Sequence, residues 1–145
     1  MKITLDSNIY ISAAILGRVC EEILNICILN TNTITVFSSV EIINEIKDKL
    51  KNKFNWEDYK VSFFEKYLLN FIRLVCPDKK IKLLKDDPDD DKIIECAFCS
   101  GSNFIISGDK HLLKLKEYKE IKIIPPSEFQ VTLSYRLPVN NSSQG

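Results

Sequence analysis

Short apolar runs alternate with amphipathic helical patterns along this chain, and that alternation restricts its fold more than any other feature. Runs at residues 2–5, 33–37, 81–84, 103–107 and 122–124 read as strands, the second of them rich in β-branched residues. Helical patterns fall at 7–16, 19–29, 56–75, 89–100 and 110–115. A further helix is announced by Ser38-x-x-Glu41, which matches a capping box, and by Ile42, Ile43, Ile46 and Leu50 at helical spacing. Cys76-Pro77-Asp78 stops the long helix at 56–75, and Ser127 opens a terminal turn. Such alternation predicts an α/β fold, a mostly parallel sheet with helices on both faces in a three-layer sandwich. Loops are short, so residues 1–138 read as one domain, with 139–145 a disordered tail.

Composition narrows the function classes. A chain of 145 residues with 45% hydrophobic content has the material for one core. Lys and Arg total 20, as do Asp and Glu, so no global charge drives the chain onto nucleic acid. Two basic runs, Lys47, Lys49, Lys51 and Lys53, then Lys79, Lys80, Lys82 and Lys85, read first as solvated faces and second as phosphate contacts. No apolar run approaches the roughly 18–20 residues of a membrane span, and the N-terminus lacks a secretory signal pattern. The expectation is a cytoplasmic protein with no membrane partner. Five cysteines read as reduced thiols, and Cys96–Cys99 lacks the second pair a zinc site needs. The sole histidine, His111, supports neither a His-based metal centre nor a Ser-His-Asp triad.

Acidic residues at element ends carry the chemistry. Asp6 and Asp109 each follow an apolar strand pattern, and ligands of open α/β sheets bind at the carboxyl ends of strands. Each is also a plausible N-cap. Glu45 lies nearer the Ile42, Ile43 and Ile46 stripe than Glu41 does, which makes it the better candidate for a site beside the core. Asp86-Asp87-Pro88-Asp89-Asp90-Asp91 holds more acids than a helix start requires. Ile94, Ala97, Phe98 and Gly101 mark the buried face of the helix that follows. Asp90 falls on that face, with Asp89 and Asp91 about 100° to either side. An inward carboxylate is costly unless compensated. Asp6, Glu45, Asp90 and Asp109 together predict a cluster that binds Mg²⁺ or Mn²⁺.

In order and spacing these motifs resemble the PIN domain, a family of Mg²⁺- or Mn²⁺-dependent ribonucleases, and above all its VapC-like toxin components of toxin–antitoxin systems. Met1 to Asn8 resembles the family opening of a strand followed by Asp-Thr/Ser-Asn. Ser39 to Ile46 resembles the helix with the family's acidic residue, at Glu45. Asp87-Pro88-Asp89-Asp90-Asp91-Lys92 resembles Asp-Pro-Asp-Asp-Asn-Lys, with Asp91 in place of Asn. Ser107-Gly108-Asp109-Lys110-His111-Leu112-Leu113 and Pro126-Ser127-Glu128-Phe129 resemble two further family segments. The resemblance runs to about Leu133 and implies a five-stranded parallel sheet and commonly a homodimer.

The reaction so implied is hydrolysis of an RNA phosphodiester by an endoribonuclease, with an antitoxin as protein partner. Asp6, Glu45, Asp90 and Asp109 would be the metal ligands. Ser7, Asn8, Asp91 and Ser107 would orient ligands or substrate from behind. Three rivals exist: a receiver-like Mg²⁺-binding signalling domain, a PIN scaffold that binds a partner without catalysis, and a structure-specific DNA nuclease. A receiver wants paired acids after its first strand, the acidic set is intact against loss of catalysis, and the chain is compact for a flap nuclease. Trp56, Tyr59, Phe63, Tyr67 and Phe71, with the aliphatic residues between them, are more apolar surface than one core stripe needs, so the 56–75 helix is expected to bind a second copy or the antitoxin, the alternative being a helix packed deeply in the core.

Overall fold

The computed structural model describes residues 1–78, 80–82 and 91–136. In chain order the elements are β1 (Lys2–Leu5), α1 (Ser7–Ile15), α2 (Arg18–Leu29), β2 (Thr35–Ser38), α3 (Val40–Asn52), α4 (Asp58–Leu69), β3 (Ile72–Leu74), α5 (Asp91–Ser100), β4 (Phe104–Ile106), α6 (Lys110–Leu115), β5 (Glu117–Tyr118), β6 (Ile121–Ile124) and α7 (Pro126–Arg136). The strands form one sheet in the order β3-β2-β1-β4-β6-β5. All pairings are parallel except β5 with β6. Helices flank this sheet as the alternation predicts: α5 packs on β1, β2 and β4, while α1 packs on α2 and α3.

Strand burial explains the apolar runs. Ile3, Leu5, Ile105 and Ile106 are fully buried in the two central strands, β1 and β4, where no face meets water. Tyr10, Ile42, Ile46, Leu50 and Phe129 are equally buried from the helical layers. Cys27 and Cys96 belong to the same core, and burial pushes both thiols up to about 12. Among the described residues no helix is long and apolar enough to cross a membrane.

Several boundaries differ from the sequence reading. The helix expected at 56–75 is two elements: α4 ends at Leu69, and β3 begins at Ile72. Apolar residues run unbroken from Tyr67 through Leu69 and again from Phe71, so periodicity cannot see the change. Pairing decides it, through Val36 with Ile72, Phe37 with Arg73 and Ser38 with Leu74. Of the strand expected at 81–84, Ile81 and Lys82 carry no regular structure, and the rest lies outside the described residues. Ser39, not Ser38, caps α3, accepting the Ile42 amide at 3.3 Å. β5 is a two-residue antiparallel edge strand, too short to leave a pattern. The terminal turn is the eleven-residue helix α7. The tail expected at 139–145 lies outside the described residues.

Candidate metal and phosphate site

The sheet order places a topological switch between β1 and β4: the chain builds outward from β1 to β2 and β3, then returns to the other side for β4 and β6. In such sheets the crevice beyond the strand ends at the switch is where ligands bind. Asp6 stands directly after β1. Ser107, Gly108 and Asp109 follow β4.

Asp6 is completely buried. Its Oδ2 accepts the Ser107 hydroxyl at 2.7 Å, and its Oδ1 accepts the Ser7 hydroxyl at 3.3 Å. Ser107 in turn accepts the Asp109 amide at 2.9 Å, which links the two strand ends through one hydroxyl. Asp6 occupies the N-cap position of α1 without a side-chain capping hydrogen bond. Its carboxyl is raised above the ordinary 3.8, chiefly by burial and further by Glu45 and Asp109, against the Ser107 bond and the nearby Asn8 amide, which lower it. Asp109 does cap its helix: Oδ1 accepts the amides of His111 at 2.8 Å and Leu112 at 3.2 Å.

Glu45 lies on the half-buried side of α3, as its place beside Ile42 and Ile46 predicts. Glu41, by contrast, is exposed and 3.9 Å from Lys80. Two lysines hold the Glu45 carboxylate: Lys49 reaches Oε1 at 2.9 Å, and Lys92 pairs with Oε2. Burial would push Glu45 up, but the hydrogen bonds from Lys92 and Lys49 outweigh it and hold the carboxyl below its ordinary value. Asn8 enters the same network, its Oδ1 accepting from Lys49 at 3.3 Å.

The matching profile is that of the PIN domain, over residues 2–111. The chain belongs to the PIN domain family. Its fold is similar to one chain of the crystal structure of VapBC2 from Rickettsia felis bound to a DNA fragment from their promoter, with a TM-score of 0.63 and 12% identity over 86% of this chain and 98% of that one. No curated protein sequence matches it.

Of the acids predicted for this PIN domain, Glu45 and Asp109 each act electrostatically on Asp6. Asp90, together with Asp86, Asp87 and Asp89, lies outside the described residues. Asp91 departs from its expected position beside the buried face of α5: it is only 7% exposed. α5 packs against both the sheet and α3, and the Ile81 amide donates to Glu95 at 3.0 Å.

The basic run of α3 is divided. Lys47 pairs with Glu65 at 3.1 Å and Lys51 with Asp58 at 3.0 Å, both on α4, while Lys49 turns to Glu45. Sequence reasoning missed Lys49 and Lys92 as site residues. The i, i+4 spacing from Glu45 marks Lys49, whereas the signal for Lys92 is its match to the closing Lys of the Asp-Pro-Asp-Asp-Asn-Lys signature. Buried Glu95 was missed too.

The donor chemistry suits a hard divalent cation: every candidate is a carboxylate, and Asp6 is held in a burial- and charge-strained state that a cation relieves. Among the described residues, no three His, Cys, Asp or Glu side chains are gathered tightly enough to hold a metal as they stand. Glu45 must exchange a lysine to take part.

Proposed function

We propose that this protein is an Mg²⁺- or Mn²⁺-dependent endoribonuclease, the toxin of a toxin–antitoxin pair. The observation that carries this reading is the buried Asp6–Ser107–Asp109 chain at the β1/β4 switch point, with Glu45 near enough to raise Asp6. Asp6, Glu45 and Asp109 would hold the metal, with Asp90 from the segment before α5. A bound Mg²⁺ or Mn²⁺ supplies a water of lowered pKa and stabilises charge on the phosphate. The chain's own residues do the positioning. Ser107 and Ser7 fix the Asp6 carboxylate. Amides at the start of α6 occupy one oxygen of Asp109 and leave the other for a ligand. No protein base is needed, in keeping with the lone His111.

The similar VapBC2 structure supports a protein antitoxin as partner. The apolar face of α4 supports a surface for it or for a second copy in a homodimer, and a cytoplasmic setting fits both. The test is cleavage of single-stranded RNA with Mn²⁺. Cleavage should vanish in EDTA, return with Mn²⁺, and be absent in Asp6→Asn. Cleavage indifferent to chelation would refute the reading.

A further inference from the structure

Resting on that nuclease reading, the lysines around Glu45 carry a step more. Lys49 comes from one turn along α3 and Lys92 from the first turn of α5, so two separate helices deliver ammonium groups to one carboxylate. Lys92 is no ordinary surface lysine: its side chain and that of Glu45 are each 17% exposed. Lys49 is more open, and it also touches Asn8, two residues from Asp6. Partly buried ion pairs are weak stabilisers, because desolvation offsets their attraction. The lysines do keep Glu45 charged in the fold, but stability alone does not call for two of them on one glutamate. Ligand exchange gives a reason. A divalent cation taken up by Glu45 repels both ammonium groups, which then lie beside the metal with no carboxylate between them. A phosphodiester bound there brings the anionic oxygens to replace it.

We propose that Lys49 and Lys92 form a phosphate clamp, held on Glu45 in the absence of ligand and transferred to the non-bridging oxygens of the RNA phosphodiester when metal and RNA bind. The clamp couples the two ligands. Metal frees the lysines for RNA, and RNA removes the lysines that compete with metal for Glu45. By linkage, each ligand then tightens the other by the same factor.

The test measures binding rather than turnover, by calorimetric titration of Mn²⁺ and by anisotropy of a labelled 2′-O-methyl phosphorothioate oligonucleotide checked to remain intact. In Lys92→Met and Lys49→Met, Mn²⁺ alone should bind more tightly, by about tenfold, once a competing cation is gone. The oligonucleotide in Mn²⁺ should bind more weakly, and its log–log salt dependence should become shallower by about 0.7 per lysine. Lys92→Arg should keep the oligonucleotide affinity. If Lys92→Met fails to fold, Lys92→Gln and Lys49→Met carry the same readout. Opposite movements of metal and RNA affinity support the clamp, since a merely structural ion pair would not produce them. A wild type that binds both ligands, with folded variants unchanged in affinity and salt slope, overturns the clamp and leaves the nuclease reading standing. A wild type with no affinity for Mn²⁺ sinks both.

Discussion

The Ser107 hydroxyl donates to Asp6 at 2.7 Å across the gap between the ends of β1 and β4, while accepting the Asp109 amide. One small side chain thus fixes both strand-end aspartates. Ser107→Ala removes a donor that favours the charged Asp6 and orphans the Asp109 amide. Loss of such supporting bonds typically costs about 10–100-fold in metal affinity, so half-maximal cleavage should need at least tenfold more Mn²⁺. Stability should fall by about 1 kcal/mol. Ser107→Thr, which keeps the hydroxyl, should restore most of the metal response. An unchanged Mn²⁺ requirement in Ser107→Ala would remove the hydroxyl from the site.

Asp6 should trade stability for function. Burial, with Glu45 and Asp109 adding to it, raises its folded pKa above the ordinary 3.8. The folded state then holds a proton that the unfolded chain has already lost, so stability declines as pH rises from near 3.8 through the folded pKa. Above that window the penalty is complete. In EDTA at neutral pH, Asp6→Asn should therefore melt higher than the wild type, and the gap should close as pH falls through the window. The same variant should be inactive in Mn²⁺. Thermal scans across acidic pH check this. A variant that melts lower at neutral pH would mean the charge at Asp6 is stabilising.

The sequence made the central architecture legible because buried parallel strands read as continuous apolar runs: β1, β4 and β6 fall where the patterns put them. Asp6 and Asp109 were readable for the same reason, as polar residues at the ends of those runs. Glu45 was readable from the angular position of one helix. What stayed hidden depends on tertiary partners. β3 is a strand only because β2 lies beside it, and in isolation its residues extend the pattern of α4. Asp91 is buried, where the projection of the helix alone puts it to one side of the buried face. Lys92 meets Glu45 from forty-seven positions away in the chain, and helical spacing says nothing of such contacts.

The acids of the 86–91 run should divide by role. Asp90→Asn should abolish cleavage, while Asp89→Asn and Asp91→Asn should cost far less, at most the roughly 10–100-fold that loss of a supporting partner costs. Asp91→Asn restores the residue usual in the family signature. Its burial at 7% exposure makes the comparison sharper, because melting of each variant separates a folding effect from a lost ligand. A folded but dead Asp91→Asn beside an active Asp90→Asn would transfer the ligand role to Asp91.

The face of α4 should bind a partner through Tyr59 and Phe63, rather than through Tyr67 and Phe71, among the aromatics of the extended helix read from sequence. Phe71 falls after the end of α4 and is packed against the core. Tyr67 is braced between Phe64 and Phe71, each with ring centroids 5.9 Å away. Charging either would disturb packing, so loss of association there would be ambiguous. Tyr59 and Phe63, one turn apart, are 69% and 77% exposed. Large exposed aromatics grouped on one face characterise interfaces. Phe63→Glu should leave the melting temperature within a few degrees of wild type, as surface changes usually fall within about 0.5 kcal/mol. It should also dissociate a homodimer, or abolish inhibition by the antitoxin, as read by sedimentation and by RNA cleavage with the antitoxin present. A wild type that sediments as a monomer and is still inhibited by the antitoxin as Phe63→Glu would remove α4 from both interfaces.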